Sequence, residues 1–139
     1  MRRTAFLAAA ALVFVVIALP AQAAKPKPKC VAHAVSYEVS GTLTAPGALT
    51  ANSDGSYNGT LTVHVGRTND PAEADKGMTK TYTLDHARVS FGHGVSKTAP
   101  ATGTRADLKG TITTEAKTCT GFTPTVTIKK ATLLAAKKK

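Results

Sequence analysis

Two hydropathy patterns divide this chain. From Ala5 to Leu19 apolar residues run without a break, whereas from Val31 onward apolar and polar residues alternate. Alternation with a period of two marks half-buried β-strands, because successive side chains on a strand point to opposite faces. The first strand is expected over about Val31–Thr44, with Val35, Tyr37, Val39 and Leu43 on one face and Ser36, Glu38, Ser40 and Thr42 on the other. A second is expected over Tyr57–Arg67, with Leu61, Val63 and Val65 inward and Thr60, Thr62 and His64 outward. In the third, Lys80–Phe91, the apolar parity changes between Leu84 and Ala87, and a β-bulge at Asp85-His86 returns both halves to one face. The fourth, Thr104–Ala116, turns Ala106, Leu108 and Ile112 inward, and the fifth runs from Thr123 to Leu134 through Val126 and Ile128.

The breaks between strands carry turn chemistry. Ala45-Pro46-Gly47 ends the first strand and Asn52-Ser53-Asp54-Gly55 makes a turn, so residues 45–56 and 92–103 are expected as loops. Residues 68–78 predict a short helix, capped by Asn69 or Asp70, with Pro71 in its first turn and Gly77 past its end. Gly41 and Gly110 interrupt the apolar faces of the first and fourth strands, a sign of a bulge or sharp bend. Five strands, two of them bent, suit a small all-β, OB-like barrel, with a β-sandwich as the alternative. The barrel makes a demand of its own: its first strand lies antiparallel beside its fourth. Cys30 precedes the first and Cys119 follows the fourth, so the two cysteines can form one disulfide, and this ranks the barrel above the sandwich.

The apolar run has a processing context. Met1-Arg2-Arg3 supplies a cationic start, Pro20 breaks the helix and Ala21-Gln22-Ala23 supplies the small residues of a cleavage site, so residues 1–23 read as a helical secretory signal peptide. The run is shorter than the roughly 20 apolar residues of a spanning helix, which argues against a membrane anchor. Residues 24–30 form a Lys/Pro spacer, 31–134 the barrel domain and 135–139 a basic tail. The expected location is outside the cytoplasm: extracellular, cell wall or periplasm, with no transmembrane segment in the mature chain.

The net charge of +10 is unevenly placed. Residues 31–128 hold eight cations against eight acids, and the excess, besides Arg2 and Arg3 of the apolar leader, lies in Lys25, Lys27 and Lys29 on one side and Lys129, Lys130, Lys137, Lys138 and Lys139 on the other. Such clusters are solvated tails that can hold a protein weakly against anionic wall polymers or lipid head groups.

The runs Ser40-Gly41-Thr42-Leu43-Thr44, Leu61-Thr62-Val63-His64-Val65-Gly66-Arg67-Thr68-Asn69 and Gly103-Thr104-Arg105-Ala106-Asp107-Leu108-Lys109-Gly110-Thr111-Ile112 resemble those of uncharacterised exported OB-like barrel proteins of bacteria. The resemblance implies a barrel and supplies no catalytic residues.

Candidate chemistry is sparse. The chain has no P-loop, Rossmann glycine fingerprint or nucleophile elbow, so no cofactor and no enzymatic activity are expected. His33, His64, His86 and His93 lack metal-site spacing, and the segment Asn52–Asn58 lacks the carboxylates of a calcium loop. His64, on an outward strand position, His93, on a loop, and Arg67 are the candidate ligand-face residues. Oligonucleotide binding needs exposed aromatics, whereas Tyr37, Tyr57, Tyr82 and Phe91 have inward parity, which argues against nucleic acid. The expected role is a non-enzymatic module that presents a Thr-rich face and two loops to an envelope or extracellular partner. A structural protein tethered through its cationic tails and a hydrolase without a recognisable motif are the alternatives.

Overall fold

A computed structural model describes residues 29–116 and 118–137. The expected signal segment 1–23, with Lys25, Lys27, Lys138 and Lys139, lies outside them. Among the described residues the alternating segments form six strands: β1 (His33–Leu43), β2 (Ala48–Ala51), β3 (Tyr57–Thr68), β4 (Thr79–Phe91), β5 (Arg105–Thr114) and β6 (Thr125–Leu134). β1 pairs antiparallel with both β3 and β5, β3 with β4, and β5 with β6; β4 and β6 pair in parallel and close the ring. The ring β1-β3-β4-β6-β5 is a five-stranded, mixed, OB-like barrel, with β2 added on β3. Because β1 is hydrogen-bonded on both sides, the sheet is continuous, and the sandwich alternative is set aside.

Double pairing of β1 depends on glycine. At Gly41 the strand bends across β3, and a Cβ there would lie 2.0 Å from the His64 carbonyl oxygen. Gly110 meets β6 in the same way, with the Thr127 oxygen 1.9 Å from its Cβ position. No larger residue admits that backbone approach. The inward residues fill the ring: Tyr37, Leu61, Val63, Val65, Leu108 and Leu133 are fully buried.

Three bulges set the faces. The one expected at Asp85-His86 is present: Gly59 pairs with Leu84 and Tyr57 with Ala87. There His86 takes a φ of 49°, and its N–H donates to Asn58 Oδ1 at 2.7 Å. Two others fall where Gly41 and Gly110 interrupt the apolar faces of their strands, with the extra residue in the partner strand. Ser40 pairs with Arg67 and Gly41 with Val65, so Gly66 is an extra residue in β3. Likewise Lys109 pairs with Lys130 and Gly110 with Ile128, so Lys129 is extra in β6 and Ala131 and Leu133 follow Ile128 into the core.

Several expected boundaries change. Residues 45–56 contain β2, whereas residues 92–103 form the expected loop, tied by hydrogen bonds to the first segment. The Gly47 N–H donates to the Pro100 carbonyl and the Leu49 N–H to the Thr98 carbonyl, both at 2.8 Å, so the two segments bury Leu49 and Pro100 together and close one end of the barrel. The expected helix is a single 3-10 segment, Asp70–Asp75, that buries Ala72. Asn69 does not cap it through its side chain. Instead Asn69 Oδ1 accepts from the Glu38 N–H and Nδ2 donates to the Ser36 carbonyl, both at 3.0 Å, stitching the edge of β1 just where β3 leaves it.

Cys30 and Cys119 are disulfide-bonded, with Cα atoms 5.8 Å apart and 89 residues of separation in sequence, inside the ordinary range for such a bond. The bond sits beyond the first β1–β5 rung, His33 opposite Thr114. No helix among the described residues is long and apolar enough to cross a membrane.

Candidate functional site

The outward side chains of β1 line a shallow polar surface. Ser40 stands between Arg67 of β3 and Asp107 of β5, and Thr42 between His64 and Arg105. Counted from Val65, Arg67 has inward parity; the Gly66 bulge turns it out beside Ser40. Gly41 and Gly66 contribute no side chain, which leaves a shallow, open groove of about 490 Å³ lined by Ser40, Thr42, Arg67, Arg105, Asp107 and Lys137. Arg105 Nε donates to the Ala135 carbonyl at 3.4 Å, holding the segment that leads to Lys137 beside the groove. Glu38 lies one rung further along, where Lys109 pairs with it at 3.2 Å. Among the described residues, Arg67, Arg105 and Lys137 take part in no ion pair.

The structure brings Arg67 into this groove and places the other two candidate ligand-face residues apart from each other. His64 is exposed opposite Thr79, the first residue of β4, with Nδ1 3.3 Å from its Oγ1. His93 is exposed just beyond Phe91, the last residue of β4. The length of that strand separates the two rings. Beside His64 runs the Thr-rich face, where Thr60 opposes Thr83 and Thr62 opposes Thr81, with the last two hydroxyls 2.9 Å apart. Among the lysine clusters, Lys137 is exposed at the groove, whereas Lys29 is exposed ahead of β1, past the opposite end of that strand.

The most strongly perturbed groups lie inside the barrel. The Tyr37 hydroxyl donates to Asp75 Oδ2 and lies 2.9 Å from the Tyr82 hydroxyl. Lys80 Nζ donates to the other Asp75 oxygen at 2.7 Å. Burial, then the bond to Asp75, drives the Tyr37 phenol far above its ordinary titration range; burial likewise raises Tyr82. This is a plug: the 3-10 segment delivers Asp75 to two tyrosines that parity alone marks as plain core.

Other polar clusters are internally satisfied. Asp54 Oδ1 accepts from the Ser56 N–H at 2.9 Å and from its hydroxyl at 2.5 Å, which holds its carboxyl below the usual range. Asn52 Nδ2 donates to Ser56 Oγ and Asn58 Oδ1. These bonds tie the oxygen-rich turn into a hairpin. The ligand atoms of Cys30, Glu115 and Cys119 lie within 4.8 Å of one another, but both sulfurs are spent in the disulfide.

Arg105 and Asp107 escaped sequence reasoning. Their outward parity on the fourth strand was visible, yet nothing local says that they face Ser40 and Thr42; that follows from the β1–β5 register. Comparison with protein-family models, with curated proteins and with solved structures finds no match.

Proposed function

We propose that the chain is an exported, non-enzymatic binding module of the cell envelope or extracellular space, which holds its partner on the outer surface of the barrel around β1. The groove carries this reading. Side chains from β1, β3 and β5 converge there with Lys137, and among the described residues the two arginines and Lys137 take part in no ion pair. Export is supported by the charged start, apolar run and Ala-Gln-Ala ending of residues 1–23, together with the Cys30–Cys119 bond. The non-enzymatic reading is supported by where the perturbed groups sit. Tyr37 and Tyr82 meet Asp75 inside the closed ring, where Tyr37 has no exposed surface, and the plug is accounted for by packing and hydrogen bonding.

The test fills the groove. Ser40→Trp places an indole over the Gly41 and Gly66 floor. The immobilised protein is expected to retain a component of envelope or culture-fluid extract, and the Ser40→Trp protein, with an unchanged melting temperature, to lose it. Equal retention by both removes the groove from the reading. Turnover of ester, glycoside or phosphate reporters that disappears on changing His64 or His93 to Ala would overturn the non-enzymatic reading.

A further inference from the structure

Resting on the binding-module reading, we infer that the occupant of the β1 groove is a flexible polyanion with repeating phosphate groups, gripped jointly by Arg67, Arg105 and Lys137, with Lys29 taking no part.

Spacing is the first argument. Arg67 pairs with Ser40 from one side of β1 and Arg105 pairs with Thr42 from the other. Two inter-strand steps across and two residues along set their backbones about 12 Å apart. Cations anchored at that distance are matched by several charges along one chain better than by a single small anion.

Charge is the second. Lys109, one rung along from the groove, is paired with Glu38, whereas among the described residues Arg67, Arg105 and Lys137 take part in no ion pair. Only one acid, Asp107, lines the groove with them. Arginine presents a planar fork of donors suited to phosphate oxygens.

Position separates Lys29 from Lys137. Lys29 precedes β1, and the groove lies near that strand's far end at Ser40–Thr42. Seven to nine residues of strand are about 25–30 Å, several times the roughly 8 Å over which charge is screened at physiological salt. Lys29 therefore adds nothing to the field in the groove.

The surroundings favour a soluble polymer over a bilayer or a nucleic acid. The large exposed apolar residues among those described are Val31 and Met78, and neither lines the groove. Tyr37 and Tyr82 are buried, and Tyr57 packs edge-on to Phe91 at 5.2 Å, so these rings offer no stacking platform there.

The experiment titrates the purified protein with poly(glycerol phosphate), and separately with glycerol 3-phosphate, phosphatidylglycerol vesicles and a single-stranded oligonucleotide, at low and physiological salt. The polymer is expected to bind most tightly and to weaken as salt rises. Arg67→Ala with Arg105→Ala should weaken it by roughly tenfold or more, with melting unchanged. Asp107→Asn should tighten it, and Lys29→Ala should leave it unaltered. Undiminished binding by the double arginine variant, loss of binding in Lys29→Ala, or tighter binding of vesicles or oligonucleotide overturns the inference. A protein that retains an envelope component through the groove yet ignores the polymer sinks the polyanion and leaves the binding-module reading standing. One that retains neither sinks both.

Discussion

Replacing Cys30 and Cys119 together by Ser probes how much of the barrel's stability comes from closure of the chain. The bond joins residues 89 apart. In the chain-entropy treatment a loop of that length restricts the unfolded chain by about 4.6 kcal/mol at room temperature, a large part of the roughly 5–15 kcal/mol that holds a small domain folded. The native state should lose little by comparison. Cys30 is exposed and Cys119 half-buried, and the residues next to the bond, from Val31 to Ala34, are exposed as well. The stabilisation therefore acts on the unfolded chain. Urea unfolding of the parent and of the double variant, both followed by circular dichroism, separates the effects. The variant should lose about 4–5 kcal/mol and show a steeper denaturant dependence, because its unfolded chain expands further. A loss below about 1 kcal/mol with an unchanged slope would refute the reasoning and assign stability to strand pairing alone.

Three other outcomes follow from the interior. Gly41→Ala sets a methyl group 2.0 Å from the His64 carbonyl, a backbone atom that cannot rotate away; it should cost about 2–3 kcal/mol in a thermal melt, as overpacking does, and weaken the β1–β3 rungs in amide exchange. Tyr37→Phe keeps the ring but deprives Asp75 of a donor, and should cost about 1–3 kcal/mol in the same melt. Alkali provides the third. Tyr37 and Tyr82 both titrate above the ordinary value of 10.0 when folded, so the unfolded chain releases protons that the folded chain keeps. Stability should hold below about pH 10 and then fall by about 1.4 kcal/mol per pH unit for each tyrosine; the fall should be shallower in Tyr37→Phe, measured as urea midpoints across the alkaline range.

What could be read from residue order alone was local. Alternation located the five barrel strands, and the parity break between Leu84 and Ala87 located a bulge, because both are written within a few neighbouring side chains. The cysteine positions were informative because a barrel constrains which strand ends meet. β2 was hidden: in Ala48-Leu49-Thr50-Ala51 only Leu49 is buried, and its second set of backbone partners comes from Thr98 and Pro100, some fifty residues away. Gly41 and Gly110 marked two further irregularities, but the extra residues, Gly66 and Lys129, were hidden because each lies in the partner strand. So was the pairing of Tyr37 with Asp75, for parity says that a tyrosine points inward and not what its hydroxyl will find. The groove shares this character. Arg67 reaches it through a bulge and Arg105 through register, and neither is a property of nearby sequence.

The position of β6 bears on the order of assembly. It follows all the other strands in the chain, yet it is inserted between β4 and β5. A polypeptide delivered from its first residue onward can build the meander of β1, β3 and β4 as soon as Phe91 has emerged, but that sheet must wait, with one margin of β4 bare, until Thr125–Leu134 arrives. Bare margins of this kind recruit other chains. The interval before insertion is therefore when a newly made copy is most prone to aggregate, and a chaperone that guards it would do most by shielding β4.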